Sequence, residues 1–320
     1  MTGYLLRRVG TSVILVVGLS MVIFLLLHII WPLPGRDVLG VHGSVAQVAA
    51  WNRQHGFDAP VTVQYWHYVY KLLHGNLGYS YVLQQPVAKL FAERWARSFY
   101  LSGASLLLAV LVTIPLGIFQ AVRRDGLADH LLTGLELVLY ATPGYLLYIV
   151  AIQVLAFNVP VFGYQASQSS SLPTVMADWR DMALPIGCFA LLIVAGFSRY
   201  MRSAAIDTLA QDYIKVVRAK GLPEWLILTR HLFRNACPPI ITLLGLSVPG
   251  LLAGNLIVER VFNYSGGLGM LAFSSVKNID YPVLLAYTLV GGVLTILGNL
   301  LADITLTVAD PRLHLTSPRL

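Results

Sequence analysis

The 320-residue chain is short of charge and nearly without cysteine. Asp, Glu, Lys and Arg make up 12% of it, half of the roughly 25% usual in a soluble domain. Meanwhile 57% is hydrophobic and mean hydropathy is +0.70. So little solubilising charge leaves an outsized core or a lipid solvent. Two cysteines, Cys188 and Cys237, support no disulfide framework and no metal site, and read as buried apolar thiols. Several motifs are absent as well. There is no G-x-x-x-x-G-K-[ST] phosphate loop, no H-E-x-x-H or C-x-x-C metal spacing and no G-x-S-x-G elbow. These absences argue against an ATPase, a zinc hydrolase or a serine hydrolase, and the chain reads as non-catalytic.

The uncharged runs decide between core and lipid. Val9–Trp31, Ser98–Val122, Ala236–Val258 and Tyr281–Ala302 hold 23, 25, 23 and 22 residues without a single Asp, Glu, Lys or Arg. About 20 helical residues cross the ~30 Å hydrocarbon layer. Lipid offers no partner to a bare amide or carbonyl, so the crossings are helices. Two further candidates are Leu131–Phe157, interrupted only by Glu136, and Met182–Ser198, which can continue past Arg199. The expectation is an all-α polytopic membrane protein with six transmembrane helices. The first run is too long for a signal-peptide core and no small-residue cleavage site follows it, so it reads as a retained span.

Charge placement then sets the orientation. With six spans, one side holds Arg7, Arg8, Arg123, Arg124, seven basic residues in 199–234, Arg312 and Arg319. That is thirteen of the 22 Lys and Arg, while six of the other nine lie in the long 32–97 segment, which orientation rules weigh little. Both termini and the 199–237 loop are therefore expected in the cytoplasm. The net charge of +7 reads as topology rather than as affinity for nucleic acid.

The 32–97 segment is a sizeable extracytoplasmic insertion between the first two spans. Val61, Tyr65, Val69 and Leu72 fall near helical spacing with Trp66 and Tyr70 on the flank, a composition suited to the membrane interface. It fits a packed cap over the bundle and equally an outer gate or docking surface. Gln165–Ser171 (QASQSSS) reads as a flexible loop. Pro115, Pro143, Pro185 and Pro249, with glycines such as Gly144, Gly254 and Gly292, suit close packing and also a bundle that bends around a path. Pro143, Tyr145, Gly254 and Asn255 are the candidate path-lining positions. Glu136 and Asp303 sit in apolar runs near the cytoplasmic side. They are expected either to pair with arginines such as Arg123 or Arg124, or to serve a pathway or proton coupling.

The stretch Gln211–Trp225, QDYIKVVRAKGLPEW, departs from all of this. Ala210, Tyr213, Ile214 and Val217 lie on one helical stripe, with Asp212, Lys215 and Arg218 off it. Gly221 is a stop signal and Pro223 a new start, with a return helix from Glu224 to Asn235.

DYIKVVRAKG followed by HLFRNACPPIIT resembles the cytoplasmic signature (EAA) loop of binding-protein-dependent ABC importer permeases. RQHGFDAP, HGNLGYSYVLQQPV, VERVFNYSGGLGML and NLLADITLTVADPRL resemble, in order, the first permease subunit of the dipeptide, oligopeptide and nickel branch. The resemblance implies a type I ABC importer permease fold in a bacterial plasma membrane. Residues 1–97 would form an N-terminal span with its outer segment, 98–310 a five-span core carrying the 199–237 loop, and 311–320 a tail. It implies docking to an ATPase through Asp212, Tyr213, Arg218, Ala219, Lys220 and Gly221, with His231, Arg234 and Asn235 holding the return helix. The implied partners are a second permease, two cytoplasmic ATPase subunits that carry ATP and Mg, and an external substrate-binding protein. This chain would bind no cofactor or metal itself. Val216-Val217 stand where the family more often has Thr-Ala. The competing expectation is a secondary transporter driven by an ion gradient, with Glu136 or Asp303 carrying the proton.

Overall fold

The computed structural model describes the backbone of residues 2–31, 34–39, 44–158, 161–253 and 256–309; the side chains at 2–9, 34, 37, 248–253 and 302–309 lie outside the described portion. Helix α1 (Thr2–Ile30) leads to α2 (Pro34–Leu39), α3 (Val45–His55) and α4 (Val61–Leu73). An antiparallel hairpin follows, β1 (Tyr79–Ser80) and β2 (Gln85–Pro86), paired Tyr79 to Pro86 and Ser80 to Gln85. Next come α5 (Val87–Val122), α6 (Leu127–Ala141), α7 (Gly144–Ala151) with a π turn at Ile152–Ala156, and α8 (Leu172–Ala177). After α9 (Trp179–Leu209) the chain forms α10 (Asp212–Ala219), α11 (Glu224–Leu226), a π turn at Ile227–Leu232 and α12 (Phe233–Ala236). It ends with α13 (Pro238–Ala253), α14 (Leu256–Val261), α15 (Leu268–Lys277) and α16 (Tyr281–Ala309).

Among the described residues, four helices are long and apolar enough to cross a membrane: Gly10–Ile30 within α1, α5, α9, and Tyr281–Leu301 within α16. The stretch expected as the third span is broken. Helices α6 and α7 meet at 105°, which makes a fifth crossing only if the bent pair counts as one. The cause is local. Proline lacks an N–H and pushes the residue before it out of the helical region, and Thr142 is extended (φ −76°, ψ 127°) ahead of Pro143. Within the stretch expected as the fifth span, the described residues form the end of α12, α13 and the start of α14.

Helix α5 starts eleven residues before the uncharged run that suggested it, and α9 continues eleven beyond Ser198. Each therefore projects past the apolar layer. They pack closely: a Cβ at Gly117 would lie 2.7 Å from Met201 Cβ, nearer than two carbons approach, so only glycine fits there. One core cluster joins Leu101, Tyr148, Met182, Phe262 and Tyr264; another joins Ala121, Met201, Ala205, Leu232, Ala236 and Ile240.

The polar 165–171 run is pinned rather than a flexible loop. Ala166 and Ser167 are buried, Ala166 N–H donates to Phe262 C=O (2.8 Å), and Ser167 and Ser169 hydroxyls both donate to the Asp178 carboxylate. Ser167, Gln168 and Ser169 thus find partners within the protein.

The candidate coupling site

Helix α9 ends at Leu209, Ala210 caps it, and one extended residue, Gln211, redirects the chain into α10. Asp212 stands in the first turn, where a carboxylate meets the positive end of the helix dipole. The Lys215 ammonium, 2.8 Å away, holds its carboxyl below the usual range. Gly221 ends the element at φ +79°, a backbone region that side-chain-bearing residues rarely enter, and its N–H donates to Arg218 C=O (2.9 Å). Pro223 then caps α11.

Three connections fix the corner so formed. Ile214, Ile227 and Leu232 are fully buried. Arg218 reaches across the glycine turn to Glu224 with two bonds (Nε to Oε1, 2.7 Å; Nη2 to Oε2, 3.3 Å). Both side chains are half-exposed, so this pair contributes little stability but sets the angle between α10 and α11. Asn235 Nδ2 donates to the Tyr213 hydroxyl (2.9 Å) and to His231 C=O (2.7 Å), tying the return helix to α10. Leu232 and Ala236 in turn pack on Met201, Ala205 and Ala121, which roots the corner in α9 and α5.

The structure thus gathers Asp212, Tyr213, Arg218, Ala219, Lys220 and Gly221 on one exposed corner, with His231 half-buried and Arg234 exposed on the return. The apolar stripe divides differently from its sequence spacing: Ile214 alone is buried, Val217 is partly covered, Tyr213 is 38% exposed and Ala210 belongs to the end of α9. Val216 and Trp225 add to the exposed apolar surface. Of the path-lining candidates, Pro143 caps α7 at the 105° break and Tyr145, 53% exposed, lies in its first turn. Gly254 and Asn255 lie outside the described residues.

The acids are arranged otherwise than expected. Glu136 is 4% exposed, yet neither carboxylate oxygen has a hydrogen-bond partner among the described residues. Arg123 lies over the Phe119 ring and Arg124 pairs with Asp125, so neither serves Glu136. The paired acid is Asp129, one of two whose roles the sequence did not reveal. It is 2% exposed and accepts two bonds from Arg202 (Nε to Oδ1, 2.7 Å; Nη2 to Oδ2, 2.6 Å) and one from Asp125 N–H (3.0 Å). The signal was present, since Asp129 and Glu136 stand seven apart on one face of a helix. Asp303 has its side chain outside the described portion.

Glu259 was also unmarked in the sequence. Its fully buried carboxylate accepts from Ser98 Oγ (2.6 Å) and Met270 N–H (2.9 Å), while Ser98 Oγ accepts from Leu268 N–H (2.7 Å). It thereby caps α15 from α14 and joins both to α5. Burial pushes its pKa up to about 7, against those hydrogen bonds. No cluster of His, Cys, Asp and Glu suited to a metal ion occurs among the described residues.

Apolar membrane-length helices carrying an exposed, internally bonded corner define a polytopic membrane component. The comparisons with known proteins are specific about the kind. Residues 113–315 match the family model described as binding-protein-dependent transport system inner membrane component, and residues 1–102 match that of the N-terminal part of such components. A glutathione transport system permease protein of Salmonella typhimurium is 32% identical over 315 residues, covering 98% of this chain and 99% of that protein. An oligopeptide transport system permease protein of Bacillus subtilis is 31% identical over 316 residues (98% and 100%), and a putative peptide permease of Brucella ovis 32% over 326 (99% and 100%). The chain belongs to the inner membrane components of binding-protein-dependent transport systems, and is a transport subunit.

Proposed function

We propose that this chain is one of two permease subunits in an ATP-driven importer of the bacterial plasma membrane, and that its cargo is peptide. The observation that carries this reading is the anchored, exposed α10–α11 corner on a chain without a phosphate loop. Such a lever needs a motor from another chain. The cargo class is supported by the relatives, whose names refer to oligopeptides, peptides and glutathione, itself a tripeptide.

In this reading six spans leave both termini and the 199–237 loop in the cytoplasm and the 32–97 segment outside. Residues 1–97 form the added span with its outer segment, 98–310 the core and 311–320 a tail. Two ATPase subunits, which hold the ATP and Mg, receive Asp212, Tyr213, Arg218, Ala219, Lys220 and Gly221. His231, Arg234 and Asn235 hold the return helix in place. A second permease completes the path, lined here by Pro143, Tyr145, Gly254 and Asn255, and an external binding protein delivers cargo. Closure of the ATPases pushes α10. The 31-residue α9 is about 46 Å long and carries the push into the bilayer. The Asp129–Arg202 bond passes it on to α6 and the break at Pro143.

The test uses the tagged full chain purified in mild detergent from its native membranes. ATPase and second-permease chains should co-purify, and vesicles holding the complex, supplied with the external binding protein, should take up labelled tripeptide only with ATP. An ion-gradient carrier using Glu136 or Asp303 predicts the opposite: uptake without ATPase chains, abolished by an ionophore. That result would sink the proposal.

A further inference from the structure

Helix α4 has three faces. Val61, Tyr65 and Tyr68 pack with Phe24 of α1 and with Tyr281 and Leu285 of α16. Trp66, Tyr70 and Leu73 form an exposed apolar face, 69%, 58% and 80% accessible. Between these lie Gln64, His67 and Lys71, one turn apart, lining a cavity of about 380 Å³. The cavity is lined by residues of the β1–β2 hairpin, by rings that include Phe57, Tyr79 and Tyr281, and by Phe24 and Leu285. Neither His67 nor Lys71 makes an ion pair or side-chain hydrogen bond with a described residue, and both are exposed.

The depth of α4 indicates what surrounds it. Tyr65 hydroxyl is 2.9 Å from Ser20 Oγ, and Phe24 stacks against Tyr68 with ring centres 5.7 Å apart. Ser20 stands ten residues before the end of α1, about 15 Å down the span at 1.5 Å per residue. So α4 lies alongside the end of a membrane-crossing helix rather than above it. Its Trp66, Tyr70 and Leu73 are exposed, as are Leu26, Ile29 and Ile30 near the end of α1. A Trp/Tyr face at that level suits the boundary between headgroups and acyl chains. The two unpaired basic side chains beside it then stand at headgroup height.

We propose that this cavity holds the phosphate headgroup of an acidic phospholipid, with Lys71 and His67 as its donors and the Trp66–Tyr70–Leu73 face set among the neighbouring lipids. On the orientation proposed above this lipid belongs to the outer leaflet. It would hold α1, α4 and α16 together without occupying the path.

The experiment is native mass spectrometry of the full chain in mild detergent, titrated separately with phosphatidylglycerol, phosphatidylcholine, inorganic phosphate and a tripeptide. Wild-type protein should retain phosphatidylglycerol at least about fivefold over phosphatidylcholine, and Lys71→Gln should lower that retention about fivefold. His67→Gln together with Lys71→Gln should abolish the preference, while Lys89→Gln, an exposed lysine outside the cavity, should leave it intact. Unchanged retention in the double variant, or equal retention of the two lipids, overturns the proposal. Inorganic phosphate binding as well as the lipid would assign the site to free anion and overturn the lipid, and displacement by tripeptide would assign it to cargo. A thermal melt of each variant without added lipid should match wild type, which separates loss of the site from loss of the fold.

Discussion

Gly221 turns the chain from α10 toward α11 because it holds φ +79°, which costs a residue bearing a side chain roughly 1–2 kcal/mol. Nothing lies within 4 Å of a Cβ placed there, so the strain would be conformational rather than steric. Gly221→Val should therefore leave insertion and folding intact but misdirect the corner, lowering ATP-dependent uptake at least tenfold while the ATPase chains run uncoupled or fall away. Parallel uptake and ATPase assays on the purified complex decide it; full coupling in the variant would refute the lever. Glu259 sets a pH dependence. Below about pH 4.5 both folded and unfolded chains carry its proton; between there and about 7 the unfolded chain releases it while the folded one keeps it. The fold binds more protons in that window, so this group's contribution to stability falls as pH rises, by about 3 kcal/mol in all, and is level above 7. Melting midpoints of wild type and Glu259→Gln, measured at pH 5 and pH 8, should show the smaller difference in the variant. Equal differences would show that Glu259 does not control it.

Between elements, one bonded pair and one missing side chain carry the arrangement. Asp129 and Arg202 join α6 to α9, and removing one partner of a buried pair strands a charge at a cost of about 3–5 kcal/mol. Arg202 is a quarter exposed, which favours the lower end. Asp129→Leu should lower the melting temperature markedly, and Asp129→Leu with Arg202→Met should recover much of the loss, since the double change leaves no orphan. A double variant no more stable than the single one would mean the pair is not the cause. Gly117 lets α5 and α9 touch. Gly117→Leu drives a side chain into Met201 and the Arg202 backbone and should cost upwards of about 3 kcal/mol, seen as poor yield of folded protein in detergent. Normal yield and melting would mean the two helices can part without loss.

As a whole molecule the chain joins an apolar helical bundle to an exposed corner, and it belongs to a family of transport-system inner membrane components; the proposed function makes that corner the contact to the ATPase chains. In reconstituted vesicles the isolated chain should neither hydrolyse ATP nor move tripeptide, and adding ATPase chains should give hydrolysis that depends on the α10–α11 corner. Uptake by the chain alone would contradict the proposed division of labour.

Composition and local backbone preference set the solvent and the punctuation. Uncharged runs of 22 to 25 residues placed α1, α5 and α16 because lipid admits only apolar helices of that length. Gly221 and Pro223 marked the corner because their backbone preferences are local. The helix ends were less legible: α5 and α9 each overrun their apolar runs by eleven residues, since packing outside the bilayer tolerates charge. The partners came only from packing in three dimensions. It gave Arg202 to Asp129 and left Glu136 without a hydrogen bond among the described residues, buried Ala166 and Ser167 of the QASQSSS run against Phe262 and Asp178, and set Glu259 at the head of α15. The residues so joined lie from eleven to 96 positions apart, where no periodicity reaches. The 105° break belongs to both scales, for Pro143 announced a break, whereas its angle depends on what α6 and α7 pack against.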